Sequence, residues 1–80
     1  MIVIINKYSD ASPYIHTELY DFPDEAEGEK FSVDRVRAYE KNGFKYFDSD
    51  EDFAINADWE ILEKVDGNVT YYVKVEARFD

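Results

Sequence analysis

Three aspartates at alternate positions have the residue type and part of the spacing of a calcium site. Asp48, Asp50 and Asp52 occupy the first, third and fifth positions of a calcium-binding loop, where carboxylate oxygens surround the ion. The rest of the loop does not match, because Phe53 stands where the sharp turn requires glycine and Trp59 stands where a bidentate glutamate is required. We therefore expect neither a metal site nor a cofactor.

Nucleophilic catalysis by a serine requires a base, and His16 is the single histidine of the chain. The serines it would have to activate, at positions 9, 12, 32 and 49, lie in no G-x-S-x-G or glycine-rich oxyanion sequence. The chain has three glycines and no phosphate-binding glycine loop, and it has no cysteine to act as a thiol nucleophile. The sequence therefore predicts that the protein is not an enzyme and that His16 is a half-exposed strand residue.

Acidity is the dominant chemical feature of the chain. Nineteen Asp and Glu oppose nine Lys and Arg, for a formal net charge of −10. A direct nucleic-acid binder needs a basic patch and a membrane-surface binder needs Lys or Arg facing anionic lipid, so both classes are disfavoured. The complementary partner is a basic protein. The alternative is that the acidity only maintains solubility.

The acids gather in two clusters that are separated along the chain. The first cluster consists of Asp21, Asp24, Glu25, Glu27 and Glu29, and the second consists of Asp48, Asp50, Glu51 and Asp52. Most lysines and arginines lie elsewhere, where strand pairing can neutralise several of them. The aromatic residues Phe53, Phe22 and Tyr46 lie beside the acids, where they can anchor a partner or pack in the core. We predict that the clustered acids and Phe53 bind the partner.

The density of these acids can be compared with that of DNA phosphates. A globule of this length has a diameter of about 30 Å, and a duplex of that length carries roughly 18 phosphates, about half of which face one side. The nine clustered acids approach that number.

No family motif is found, but the profile of a small, acidic, aromatic-rich, cysteine-free chain resembles two groups of proteins. One group is the phage-encoded inhibitors of host nucleic-acid enzymes, which include DNA mimics and anti-CRISPR proteins. The other is the acidic immunity proteins that neutralise nuclease toxins. The resemblance implies an inhibitor or decoy of a basic, nucleic-acid-binding protein. The alternative function is a small structural or adaptor module whose acidity serves solubility.

These residues are expected to be positioned by one acidic globular domain spanning residues 1–80, since the chain is 45% hydrophobic and 18% aromatic. The consecutive β-branched residues 2–5 predict a short central strand buried on both faces. This run is too short for a signal peptide and lacks its basic flank, and no apolar run reaches membrane-spanning length. The expected location is therefore the cytoplasm.

A hairpin at the C-terminal end of the chain is the clearest local signal. Residues 59–65 and 69–79 have strand composition and flank the turn sequence Asp66-Gly67-Asn68. A three-residue connection would pair Val65 with Val69, Trp59 with Val75 and Glu60 with Lys74. Further strand composition is found at residues 14–22, with Ile15, Thr17 and Leu19 on one side.

Residues 31–47 fit two structures. Asn42-Gly43 is a strong signal for a two-residue β-turn, which would place Glu40 opposite Lys45 and Tyr39 opposite Tyr46 in a hairpin. The same dipeptide can also end a helix at about 32–42 that begins at Ser32. We favour the hairpin, because the helix would stack Arg37 and Lys41 one turn apart.

The remaining segments are acidic and less regular. Residues 23–29 predict a mobile loop, and Ser49 can cap a short helix within residues 48–58. Together these patterns predict a mainly β fold, a small antiparallel sheet or partly open barrel built from hairpins, with room for one short helix. The alternative is an α+β fold with a helix at about 32–42 packed on an antiparallel sheet.

Overall fold

The computed structural model describes residues 1–79, which form five strands and one helix. In chain order these are β1 (Ile2–Ser9), β2 (Ser12–Asp21), α1 (Glu25–Lys41), β3 (Lys45–Asp52), β4 (Ala57–Asp66) and β5 (Val69–Arg78). The strands make one antiparallel sheet in the order β2-β1-β5-β4-β3. Helix α1 packs on one face of this sheet, mainly against β5 and also against β1 and β4. The prediction of a mainly β fold with an antiparallel sheet and one helix is confirmed.

The hydrophobic core lies between α1 and the inner strands of the sheet. Val3 and Ile5 of β1 and Val73 and Val75 of β5 form its buried cluster. Because alternate residues of a strand point to the same face, these four side chains all point toward the helix. The partly buried hydrophobic residues that pack against them are Met1, Tyr20, Phe22, Phe31, Val36, Tyr39 and Phe44. Burial of each aliphatic side chain of this size contributes about 1.5–3 kcal/mol.

Strand β1 is an inner strand, as expected, although β5 is the central one. The prediction that residues 2–5 are buried on both faces is wrong for Ile2 and Ile4, which are half-buried. They point to the face opposite α1, and the described chain has no second layer to cover that face. The strand predicted at residues 14–22 is confirmed as β2.

The hairpin predicted for residues 31–47 is wrong, and the alternative helix is correct in type. Helix α1 ends at Lys41, and Gly43 adopts a φ of 94°, so Asn42-Gly43 terminates the helix instead of turning a hairpin. The apolar residues of this segment recur at helical spacing and pack on the sheet. That burial outweighs the small repulsion expected between Arg37 and Lys41.

The helix also begins earlier than the sequence suggested, because residues 25–29 of the predicted loop 23–29 are helical. The Asp24 carboxylate accepts a hydrogen bond from the backbone amide of Ala26 at 3.0 Å and caps the helix. Glu25 and Glu27 lie in its first turn, where negative charge interacts favourably with the helix dipole. Acidic residues that looked like a mobile loop are thus good residues for a helix start.

The second acidic segment forms an edge strand, so the short helix considered within residues 48–58 is wrong. Every residue of β3 is exposed, and the strand pairs with β4 along one edge only. The Ser49 hydroxyl lies 2.9 Å from the hydroxyl of Tyr46 and caps no helix. Residues 53–56 then form the turn into β4.

The β4–β5 hairpin is confirmed, but its register differs by one residue from the expected one. Val65 pairs with Thr70 and Glu60 pairs with Val75, because β4 continues to Asp66 and leaves a two-residue turn. Gly67 occupies the first position of that turn with a φ of 62°, which glycine adopts readily. A one-residue shift exchanges the two faces of a strand. It therefore moves Glu60 to the helix side of the sheet.

Candidate functional site

One flank of α1 holds a network of paired charges around a single carboxylate. Glu18 of β2 lies 2.8 Å from the Nζ of Lys7 and accepts a hydrogen bond from the Tyr20 hydroxyl at 2.7 Å. Arg35 of α1 donates to the Tyr20 hydroxyl at 3.0 Å and lies 3.8 Å from Glu18. The hydrogen bonds from Lys7 and Tyr20 lower the pKa of Glu18 to about 2. On this flank of α1, the negative charge of Glu18 is therefore balanced by the positive charges of Lys7 and Arg35.

A second paired carboxylate lies on the face of the sheet opposite α1. Glu76 of β5 is buried and lies 2.6 Å from the Nε of Arg78 and 3.5 Å from the Nζ of Lys74. Lys74 also lies over the ring of Trp59, 5.1 Å from its centroid. Within residues 1–79, the ion pairs involve these two glutamates alone as acids.

The clustered acids behave differently, because none of them takes part in an ion pair in the described part of the chain. All nine are exposed. Their hydrogen bonds with the backbone are local, such as those that Asp50 accepts from Glu51 and Asp52 accepts from Ala54. The internal neutralisation expected from strand pairing instead involves Glu18 and Glu76, which belong to neither cluster.

The strand register brings much of the two clusters to the same end of the sheet. Asp21 pairs with Ile2, and Asp52 pairs with Ala57, while Ile2 and Ala57 are the two neighbours of Arg78 in the central strand. Helix α1 begins just after Asp21 and therefore starts at this end as well. Acids that are far apart in the sequence thus share one end of the molecule.

A groove of about 920 Å³ runs between α1 and the strands β3 and β4, on the flank opposite Glu18. Six acidic residues and one arginine line it, and we call it the acidic groove. Its charged lining residues are Glu29, Arg37, Glu40, Asp50, Glu51, Asp58 and Glu60. Among them Asp50 pairs with Trp59, so strand alternation directs its side chain to the face opposite α1. Among the described residues, Arg37 has no ion-pair partner.

The helix wall of the acidic groove follows the helical repeat. Glu29, Val33, Val36, Arg37 and Glu40 recur at spacings of three or four residues and so lie on one side of α1. Val33 is 47% exposed, which leaves apolar surface on this wall accessible to a ligand. The wall therefore combines an apolar centre with a carboxylate toward each end.

The opposite wall is formed by two strands whose register aligns their acids. Glu60 pairs with Ser49 and Asp58 pairs with Glu51, and all four point to the helix side because Glu60 is next to Val75. Burial and the nearby Glu40 carboxylate raise the pKa of Glu60. The two walls of the acidic groove thus repel one another electrostatically.

Aromatic residues border the acidic groove on its solvent side. Phe53 is 85% exposed at the β3–β4 turn, and Tyr46 is 60% exposed on β3. Phe53 is therefore not part of the core, and neither ring is held by packing that would remove it from a partner. Phe22, also considered as an anchor, instead packs in the core, with its ring centroid 5.1 Å from that of Phe31.

Four residues of the predicted partner-binding set line the acidic groove. These are Glu29, Asp50, Glu51 and Phe53. The other predicted residues lie outside it, at Asp21, Asp24, Glu25, Glu27, Asp48 and Asp52. Glu40 was not predicted as a site residue, and Glu60 was expected opposite Lys74 but pairs with Val75. Glu40 could have been found from the helical spacing of Glu29, Val33, Val36 and Glu40. That spacing is visible only if residues 25–41 are taken as a helix.

Other chemical groups considered in the sequence are not assembled into a site. His16 lies 3.6 Å from Glu18, and no serine hydroxyl within residues 1–79 hydrogen-bonds to it. Asp48, Asp50 and Asp52 lie along an extended strand and do not form a loop. In the described part of the chain, no three or more His, Asp or Glu side chains are arranged so that they could hold a metal ion. Helix α1 is not long and apolar enough to cross a membrane.

The chain was also compared with known proteins. Comparisons with models of protein families, with curated proteins and with solved structures found no match.

Proposed function

We propose that this chain is a non-enzymatic binding protein that inhibits or decoys a basic, nucleic-acid-binding protein. Its exposed carboxylates stand in for the phosphates of the nucleic acid. Such a protein needs acids that are fixed in space, exposed and not neutralised by its own cations.

The separation of paired and unpaired acids is the observation that carries this proposal. Glu18 and Glu76 engage Lys7, Arg35, Lys74 and Arg78, whereas the nine clustered acids are exposed and form no ion pair within residues 1–79. Acids retained only for solubility can lie anywhere on the surface. Here they gather toward one end of the sheet and along one groove, which favours a binding role.

The dimensions of the molecule also support this function. Its long axis measures 40 Å, and a DNA duplex of that length carries roughly 24 phosphates, of which about half face one side. The nine clustered acids, together with groove residues such as Glu40, Asp58 and Glu60, approach this charge on a surface of comparable length.

A displacement experiment tests the proposal directly. A lysate is applied to DNA-cellulose at low salt, and the column is then washed at the same salt with the purified protein. We expect release of one or a few DNA- or RNA-binding proteins, because the acidic protein competes with phosphate for their basic sites. A protein of matched net charge, such as a shuffled-charge variant that still folds, is the control. Equal release by both, or none by either, would contradict the proposal.

A structural or adaptor role is the second candidate, and strand β2 is the observation that favours it. β2 is an edge strand, and Tyr14, Ile15 and Leu19 on it are 82%, 64% and 66% exposed. An edge of this kind can pair with another chain. Sedimentation at several concentrations would reveal such association, and an oligomer that displaces nothing from DNA-cellulose would favour this second function.

A further inference from the structure

We propose that the acidic groove binds an amphipathic, positively charged α-helix of the partner protein. The inference rests on the proposed function, which supplies a basic partner, and it adds the place and the type of element that is bound. Four properties of the groove carry it: its width, its length, its apolar surface and its charge.

The width of the sheet leaves room for a second helix beside α1. Neighbouring strands are about 4.8 Å apart, so five strands span about 19 Å, whereas a helix with its side chains is about 10–12 Å across. Helix α1 packs mainly on the central strand β5 and to equal, smaller extents on β1 and β4, and the groove lies beside it toward β3. The edge strand β3 lies two strand spacings, about 10 Å, from β5, and this matches the distance between the axes of two packed helices. A second helix seated over β3 would therefore extend this layer.

The length of the groove also suits a helix of a few turns. Glu29 and Glu40 mark two positions on its helix wall that are eleven residues apart, or about 16 Å along the axis. This distance corresponds to three turns of a partner helix lying alongside α1. Lys or Arg placed one or more turns apart on that helix can reach both carboxylates.

The apolar surface lies where the inner face of such a helix would rest. Val33 on the helix wall and Phe53 on the open side supply most of the exposed apolar surface, and Val75 and Ala77 form a floor that is 5% and 8% exposed. This arrangement matches helix-in-groove recognition, in which apolar residues spaced three or four apart anchor the helix. A cation without an apolar face would use the charge of the groove but not this surface.

The charge of the groove determines the sign of its ligand. Glu40 and Glu60 repel one another across it, and a cation placed between them would relieve that repulsion. A second copy of the chain carries the same net charge of −10 and would be repelled. Basic helices are also the elements with which many nucleic-acid-binding proteins enter the major groove of DNA, so a protein of that class carries the required ligand.

The test uses a synthetic, fluorescein-labelled 14-residue peptide of Leu, Ala and Lys, with Leu at spacings of three and four. A peptide of the same composition in shuffled order has the same charge but no apolar face. Binding of both to the full chain is measured by fluorescence anisotropy at low salt, and NMR amide shifts locate the site. We expect the amphipathic peptide to bind at least about tenfold more tightly than the shuffled one, with shifts at Val33, Phe53 and Glu60.

Charge variants with equal net charge separate the groove from general acidity. Glu40→Gln/Glu60→Gln should weaken binding of the amphipathic peptide about tenfold. The control Asp34→Asn/Asp66→Asn removes the same charge at two exposed acids that belong neither to the groove nor to the acidic clusters, and it should change the affinity for the peptide little. Arg37→Gln should strengthen binding, because it removes the cation of the groove.

A pair of aromatic variants tests the apolar contact in the same way. Phe53→Ala should weaken binding about fivefold or more, whereas Tyr14→Ala removes a ring of similar exposure from β2, at the opposite edge of the sheet, and should leave it unchanged. Circular dichroism confirms that each variant is folded.

The outcomes distinguish this inference from the proposed function. Equal binding of both peptides, or equal losses in the two charge variants, would overturn the groove while leaving charge-driven binding intact. No binding of either peptide would also overturn the groove, whereas the proposed function is judged separately by displacement from DNA-cellulose. Selective loss in the groove variants, together with shifts confined to the groove, supports the inference.

Discussion

Helix α1 separates two regions that differ in the environment of their carboxylates: on one flank a carboxylate is paired with cations, and on the other it faces a second carboxylate. On the β2 flank, Glu18 is surrounded by Lys7, Arg35 and the hydroxyl of Tyr20, and its pKa is lowered to about 2. On the β4 flank, Glu60 faces Glu40 and has no cation in ion-pair contact within residues 1–79, and its pKa is raised. The same residue type thus stabilises the fold on one side and opposes it on the other.

The contrast shows how a small acidic domain can divide its carboxylates between folding and binding. A paired, partly buried carboxylate stabilises its neighbours, because each partner satisfies the charge of the other. An unpaired carboxylate beside a like charge costs stability. Sites used for binding commonly show such a cost, which a ligand then removes. The two flanks should therefore respond differently to substitution, acidification and salt.

Removing the paired carboxylate should have the largest effect on folding. Glu18→Ala leaves Lys7 and Arg35 without their shared acceptor, and we expect the free energy of unfolding to fall by about 1–2 kcal/mol. Urea denaturation measures this change. The control Glu27→Ala lies in the exposed first turn of α1 and should change stability by less than about 0.5 kcal/mol. Equal effects of the two substitutions would show that the Glu18 network is not a stabilising element.

Acidification should affect the two flanks with opposite signs. Because the pKa of Glu18 is lowered, its contribution to stability is present above the ordinary value of 4.5 and is lost as the pH falls through about 2. The pKa of Glu60 is raised, so ionised Glu60 opposes folding, and this penalty disappears as the pH falls through its folded pKa toward 4.5. Carboxyl-detected NMR titration measures both values. A Glu60 that titrates at or below 4.5 would remove the contrast.

Neutralising the unpaired carboxylates should stabilise the free protein. We expect Glu40→Gln/Glu60→Gln to raise the free energy of unfolding by about 0.5 kcal/mol, because it removes a like-charge pair. The control Glu25→Gln/Glu27→Gln has the same net charge but loses favourable interactions with the helix dipole, so it should be neutral or slightly destabilising. Chemical denaturation of both variants at pH 7 makes the comparison. A loss of stability in the Glu40/Glu60 variant would mean that these acids serve the fold.

The sequence was sufficient to predict the fold class and most strands, because hydrophobic and β-branched residues dominate β1, β2, β4 and β5. It was insufficient for α1, where the turn signal of Asn42-Gly43 is compatible with both a hairpin and a helix end. Tertiary packing decided between them, since Phe31, Val36 and Tyr39 reach the sheet only from a helix. Local patterns do not contain that information.

The candidate site was predicted in part for a related reason. Clusters along the chain identified Glu29, Asp50, Glu51 and Phe53, which do line the acidic groove. Glu60 was missed because the β4–β5 turn has two residues instead of three, and this single difference moves it from one face of the sheet to the other. The residue types therefore identified the acidic character of the site. The length of the β4–β5 turn and the position of α1 determined which acids face one another across the groove.

Salt should have the smallest effect, and its sign again depends on which flank dominates. Ions screen exposed charges over about 10 Å at 0.1 M, so they relieve repulsion among the clustered acids and weaken the attraction between Glu18 and Lys7. Unpaired acids are more numerous, and we expect the melting temperature to rise from very low to moderate monovalent salt. The rise should be smaller in Glu40→Gln/Glu60→Gln, which has already lost one repulsive pair, and larger in Glu18→Ala, which has lost an attractive one. Differential scanning calorimetry of the three proteins over the same salt series measures these slopes. A melting temperature that falls with salt in the unmodified protein would mean that paired charges outweigh unpaired ones, and the exposed clusters would then carry too little repulsion to mark a binding surface.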